Sequence, residues 1–276
     1  MAAAADAAVL VGVGSERNYP AVRLAAQEAA AHERQLHLLH AFNWTAAFEA
    51  PTVAEPRAHA EELLAEARRI AAEVAPDLPV QEEIAEGPAV GVLARRSDWA
   101  FLLVVGDGGM AACADCVPAD APAVQLAARA SCPVLVARRE PPPQGPVLVG
   151  VDGTASSRAA LEWAFDCAAR RAARLLAVRV VEPDETTEDT TDQLEAEVAR
   201  YAHRHPAVPV ECHAIRGDPG TVLVDQSRSA QLAIVAARGD EPARGMLGAV
   251  SQSMLYHSPA PVIVIRGLTG IPMDGA

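Results

Sequence analysis

Two short segments in the second half of the chain carry residue types suited to holding a phosphate. The first, Gly150-Val151-Asp152-Gly153-Thr154, follows a β-branched run. Asp152 could accept hydrogen bonds from a ribose or a base, and Gly150 and Gly153 let backbone approach a ligand closely. Thr154 and Ser156 could cap the helix that follows, because a hydroxyl accepts an orphan amide hydrogen. The second segment is AARGDEPARGMLGAVSQSML, residues 236–255. Gly239, Gly245 and Gly248 could leave amides facing phosphate oxygens. A helix starting near Gly248 or Ala249 would add its positive N-terminal end. Arg238 and Arg244 could pair with phosphate charge, and Ser251 could donate a hydroxyl hydrogen bond. Taken singly, each segment also reads as an ordinary turn or surface loop.

The elements that must position these segments occur twice. VLVGV at 9–13 returns at 147–151, and CPVLVAR at 132–138 returns as APVIVIR at 260–266. Between them LHLLHAF at 36–42 corresponds to LLAVRVV at 175–181, EGPAV at 86–90 to RGDPG at 216–220, and FLLVVGDGG at 101–109 to QLAIVAARG at 231–239. Five pairs in one order point to duplication rather than chance. The join lies in RREPPPQGP, residues 138–146, where three consecutive prolines favour an extended connector. This divides the chain into domains at 1–140 and 146–268.

Each half alternates strands and helices. Val22, Ala25, Ala26 and Ala29 follow the i, i+3, i+4, i+7 spacing of one apolar helix face, as do Leu161, Ala164, Phe165 and Ala168. Further strands are expected near 79–84, 101–105, 133–137, 208–215, 231–236 and 261–265. Helices are expected near 58–74, 88–97, 191–204 and 219–229. Such alternation implies an α/β fold with a parallel sheet and helices on both faces. Ligands bind such sheets where the strand order reverses, beyond the carboxyl ends of the strands. The loops after the first and fourth strands meet there, so the two segments would share one crevice.

Composition narrows the partners. The net charge is −13, which disfavours nucleic-acid phosphate and anionic membrane surfaces. No apolar run approaches the ~20 residues of a membrane span. The start, MAAAADAAVL, lacks the basic and long apolar stretches of a signal peptide. Five cysteines in a long chain argue against a disulfide framework. A reduced cytoplasmic protein is the expectation.

The paired segments and the repeated CPVLV and APVIV endings resemble the universal stress protein family, once per half and over nearly the whole chain. The resemblance implies two five-stranded, flavodoxin-like domains in tandem, like a family dimer fused into one chain. This intramolecular pseudo-dimer could pair further with a second chain. Many members bind ATP through a Gly-x-x-Gly-x9-Gly-Ser/Thr loop and the Asp after the first strand. Carried onto the second half, Asp152 matches that Asp, Gly239 the second glycine and Gly248 the third. Ala236 stands in place of the first glycine, and eight residues, one fewer than usual, separate Gly239 from Gly248. Ala249 replaces the hydroxyl residue, a loss of about 0.5–1.5 kcal/mol, which reaches roughly tenfold in affinity at its upper end. Val250 and Ser251 return to the pattern. A candidate ATP site therefore comprises Gly150, Asp152, Thr154, Ala236, Arg238, Gly239, Gly248, Ala249, Val250 and Ser251.

The first half departs further. Gly14-Ser15 follows Val13 with no Asp between. After Gly106-Asp107-Gly108-Gly109 the third glycine and the hydroxyl are missing, and Asp107, Asp115 and Asp120 would repel phosphate. Pro118 and Pro122 would disturb a helix start made for an anion. This half is expected to hold no nucleotide. Cys113-x-x-Cys116 could be a redox pair or half a zinc site, but no second pair of ligands follows. The histidines form no base–nucleophile pair, and neither a Gly-x-Ser-x-Gly elbow nor a Gly-x4-Gly-Lys-Ser/Thr loop is present. The acidic, Thr-rich DETTEDTTD at 184–192 reads as a solvated connector. The expectation is a non-enzymatic stress-response regulator with one ATP site. The alternatives are a nucleotide-free interaction scaffold of the same fold and a CxxC thiol protein.

Overall fold

A computed structural model describes residues 7–42, 56–108, 110, 121–139, 144–181, 183–237 and 246–266. The chain divides into two compact units. The first contains β1 (Val9–Gly12), α1 (Tyr19–Ala31), β2 (Leu36–Phe42), α2 (Pro56–Val74) and β3 (Val80–Glu86). It continues with α3 (Ala89–Arg96), β4 (Leu102–Gly106), α4 (Pro122–Arg129) and β5 (Val134–Ala137). The second contains β6 (Val147–Gly150), α5 (Ala155–Arg170), β7 (Leu175–Val180), α6 (Thr187–Ala202) and β8 (Val210–Ile215). It closes with α7 (Pro219–Ser227), β9 (Leu232–Ala236), α8 (Ala249–His257) and β10 (Val262–Ile265).

Each unit has the same parallel strand order: β3-β2-β1-β4-β5 in the first and β8-β7-β6-β9-β10 in the second. The registers repeat as well. Val9 pairs with Leu36 and Leu102, and Val147 pairs with Leu175 and Leu232. Leu103 pairs with Val134 just as Ala233 pairs with Val262. The duplicated sequence markers thus mark duplicated pairings.

Short β-branched runs form the central strands because both sheet faces are covered. Val9, Val11, Val147, Val149, Ile234 and Val264 are fully buried. Both predicted apolar helix faces pack inward: Val22, Ala25, Ala26 and Ala29, and Leu161, Ala164, Phe165 and Ala168, are all inaccessible to solvent. The Phe165 ring stacks on His205, with centroids 5.5 Å apart, so α5 anchors the turn after α6.

Two sequence expectations are corrected. Ser156 is not a cap: Thr154 is, its hydroxyl accepting the Ser157 N–H at 3.2 Å, and Ser156 lies buried inside the first turn. The stretch 184–192 is not simply a connector, because α6 begins at Thr187. Thr186 caps it by accepting the Asp189 N–H at 3.1 Å, while its own hydroxyl donates to Asp189 Oδ2 at 2.6 Å. Glu188 and Asp189 add negative charge where the helix dipole is positive. Residues that disfavour a helix interior therefore start one here. Thr186→Ala should lower the unfolding free energy by about 1 kcal/mol. Thr187→Ala, which removes no cap, should change it by less than about 0.5 kcal/mol. Urea denaturation of the two variants checks the difference.

Candidate functional site

At the carboxyl ends of β6, β7 and β9 the second unit has a cleft of about 500 Å³, within the ~300–1,000 Å³ usual for small-molecule sites. Of the residues expected to form a site, Gly150, Asp152, Ala236, Gly248, Ala249, Val250 and Ser251 line it. Thr154 stands behind the lining as the cap of α5. Arg238 and Gly239, together with Arg244 and Gly245, fall outside the described residues.

Three helices begin at this cleft, and their caps differ. Thr154 caps α5. Asp218 caps α7, its Oδ1 accepting the Thr221 N–H at 2.9 Å. The amide and hydroxyl of Thr221 hold the Asp218 carboxyl below its ordinary range. Gly248 precedes α8 and has no side chain to cap with. The first bond of α8 runs from Gln252 N–H to the Gly248 carbonyl at 3.0 Å. The amides of Ala249, Val250 and Ser251 therefore lie ahead of the helical ladder, as orphan donors do. Of these three helices α8 is the one without a side-chain cap, and Ala249, Val250 and Ser251 of its first turn line the cleft.

The Gly248 and Ser251 roles differ from expectation. Gly248 N–H is already taken by the Ala237 carbonyl at 2.8 Å. It is an extended N-cap, at φ −69° and ψ 159°, and has no free amide to offer. The Ser251 hydroxyl is buried and lies 2.5 Å from the Ala236 carbonyl and 3.1 Å from that of Ala237. Its proton ties α8 to the end of β9 instead of facing a ligand. Asp152 is exposed; its Oδ1 accepts from Thr154 N–H at 3.0 Å and Thr154 Oγ1 at 2.7 Å. One carboxylate oxygen thus shapes the turn. Val178, Arg179, Val180, Val181 and Leu223 also line the cleft; the motif does not reach them, because they lie on β7, just beyond it and on α7.

The sequence pattern of the Universal stress protein family matches residues 7–138 and again 145–266. A universal stress protein of Mycolicibacterium smegmatis is 32% identical over 289 aligned positions, covering 95% of this chain and 98% of the relative. The chain belongs to the universal stress protein family. A second universal stress protein, from Mycobacterium tuberculosis, is 32% identical over 285 positions, covering 94% of this chain and 96% of its own. The crystal structure of a universal stress protein from Archaeoglobus fulgidus matches with a TM-score of 0.67 at 16% identity, covering 93% of this chain and 96% of its own. That match confirms the fold.

The first universal stress domain has a crevice at the corresponding strand ends, of about 230 Å³. Asn18 is in its lining. Its Oδ1 accepts the Gly14 and Ser15 N–H groups at 3.0 and 3.1 Å, which are loop donors that an anion could use. A Cβ added to Gly106 would lie 2.8 Å from Asn18 Nδ2. In the second domain the same strand position is Ala236. The space a methyl occupies beside β9 is thus taken by an amide beside β4. Pro122 opens α4 without an N–H to offer. Asp107 lines this crevice and is buried, 3.8 Å from the Arg138 guanidinium. Asp115, Pro118, Asp120, Cys113 and Cys116 lie outside the described residues.

Cys132, just before β5, Cys167 on α5 and Cys212 on β8 are free thiols. Burial pushes Cys132 up to about 12 and Cys212 to about 11, so neither is a ready thiolate nucleophile. Among the described residues no group of three or more His, Cys, Asp or Glu could hold a metal ion, and no helix is long and apolar enough to cross a membrane.

His40, at the end of β2, donates from Nδ1 to the Val13 carbonyl at 2.8 Å. Burial lowers its pKa, against the opposing effect of that bond, and burial likewise lowers that of His37. A depressed histidine binds its proton more weakly folded than unfolded. Its stabilising effect is complete above the ordinary 6.5 and fades as pH falls through that value toward the folded pKa. In an NMR titration both imidazoles should titrate below pH 6.5; midpoints at or above it would contradict the burial.

Proposed function

We propose that this protein is a cytoplasmic stress-response regulator that binds ATP in its second domain and does not turn it over as a dedicated enzyme. The observation that carries the reading is the contrast of caps. Thr154 and Asp218 cap α5 and α7, and α8, which has no side-chain cap, puts Ala249, Val250 and Ser251 of its first turn in the lining of the same cleft. A helix N-terminus with free amides and no acidic cap favours phosphate. Asp152, with Oδ2 left over from the turn, is the matching acceptor for a ribose hydroxyl. The first domain, its loop amides held by Asn18, takes no nucleotide. The lining supports regulation over catalysis in that its described residues include neither His nor Cys. Ala249, which lacks the family hydroxyl, favours the alternative of a nucleotide-free scaffold and sets the test.

ATP that binds only the folded protein must stabilise it by RT ln(1 + [ATP]/Kd), or about 2.7 kcal/mol at one hundred times Kd. Scanning calorimetry should show the second domain melting later with ATP. Asp152→Ala should erase most of that gain. Asp152→Asn, which keeps an acceptor for Thr154, should retain the unliganded melting temperature and still lose part of the gain. An unchanged melting curve at millimolar ATP would overturn the reading.

A further inference from the structure

The cleft carries a cation that the phosphate-binding motif does not require. Arg179 sits near the carboxyl end of β7, with only 15% of its side chain exposed. Its Nη1 lies 3.6 Å from where a Cβ on Gly153 would be, so the guanidinium is beside the Asp152-Gly153 turn. Its nearest partner among the described residues is Glu185, whose Oε1 is 4.0 Å from Nη2. That is the outer limit of an ion pair. The other Glu185 oxygen already accepts from Thr190 Oγ1 at 3.1 Å. A planar group with five N–H donors thus lines the cleft with no close acceptor among the described residues.

Its place in the sheet says what it would meet. β7 and β9 flank β6 on opposite sides, about 10 Å apart at the usual strand spacing of ~4.8 Å. The open amides of α8 are on the β9 side, so the 5′-phosphates belong there. Arg179 is on the other side, next to the carboxylate assigned to the ribose. In dinucleotide sites of related topology an acidic residue takes the ribose 2′-hydroxyl, and a nearby Arg accommodates a phosphate on it. Here both kinds of residue meet at one turn. Arg158 adds a second positive charge there, donating from Nη1 to the Gly153 carbonyl at 2.8 Å. The two cations offset the repulsion between Asp152 and an anion at the ribose.

Resting on the nucleotide reading above, we infer that Arg179 is a specificity-determining residue. It selects adenine nucleotides that carry a phosphate monoester on the ribose 2′- or 3′-hydroxyl as well as one on the 5′-position. The ribose phosphate replaces Glu185 as the partner of Arg179 and gains the bidentate geometry that the 4.0 Å pair lacks. In the first domain the position equivalent to Arg179 is His40, bonded to the Val13 carbonyl, so the two halves differ here as they do at Asn18.

The test is calorimetric titration of the whole chain with AMP, ATP, adenosine 2′,5′-bisphosphate and adenosine 3′,5′-bisphosphate. One of the bisphosphates should bind about 10- to 100-fold tighter than AMP, the range of a charge-assisted hydrogen-bond pair. Which one does so identifies the hydroxyl. Arg179→Leu should bring that ratio close to one. Glu185→Gln, which removes the competing carboxylate, should widen the ratio. A purely structural role for Arg179 would not produce that gain, and the gain stays readable even where Arg179→Leu folds poorly. If AMP and ATP bind but neither bisphosphate is preferred, or if the preference survives Arg179→Leu, the inference is overturned and the ATP reading stands. If no nucleotide binds, both fall together.

Discussion

In each domain the first strand is hydrogen-bonded on both sides, to the second strand on one edge and the fourth on the other. All of these pairings are parallel, so every strand delivers its chain to the same end of the sheet. Segments leaving the first and fourth strands there enter loops and helices that diverge, and a gap opens between them. Both clefts lie at this reversal point. The fold therefore makes a site twice, and side chains decide what each site can hold.

The deciding interactions are small and local. At the second site Thr154 and Asp218 each accept an amide of their own helix, and glycine at 248 gives the third helix no side-chain cap. At the first site Asn18 satisfies the loop amides from within, and Pro122 removes a donor from the helix that could have offered it. Buried polar groups must find partners, because the cost of an unmet donor exceeds the net value of the bond. One domain bonds its loop amides internally, and the other has a helix start without a side-chain cap at the lining of its cleft. Two domains of one fold thus differ at the corresponding strand ends.

Much of this was legible in the sequence, since it depends on backbone pattern. Runs such as VLVG and VIVI are buried on both faces and have little choice but parallel strands. Apolar spacing of 3, 4 and 7 fixed the inward faces of the first helix in each half. The start of the helix at Thr187 was hidden because Thr and Asp disfavour helix interiors, and their value as caps depends on geometry that composition does not carry. Ser251 was legible as a hydroxyl near the cleft, but not as one whose proton bridges back to Ala236 and Ala237. Arg179 escaped notice because it sits inside a strand rather than in a motif. Its signal was a charged residue within LLAVRVV, a run otherwise apolar throughout, at the register where the first half has His40. A charge near the end of a two-face-buried strand needs a partner, and the strand end is where a ligand would supply one.

The account rests on an asymmetry between two domains of the same fold. Equilibrium dialysis of the intact chain against labelled ATP counts its sites directly. One ATP per chain at saturation, reduced to none in the Asp152→Ala variant, is the predicted result. Two per chain would show that Asn18 does not close the first crevice, and none would show that the open amides of the last helix do not suffice for the second.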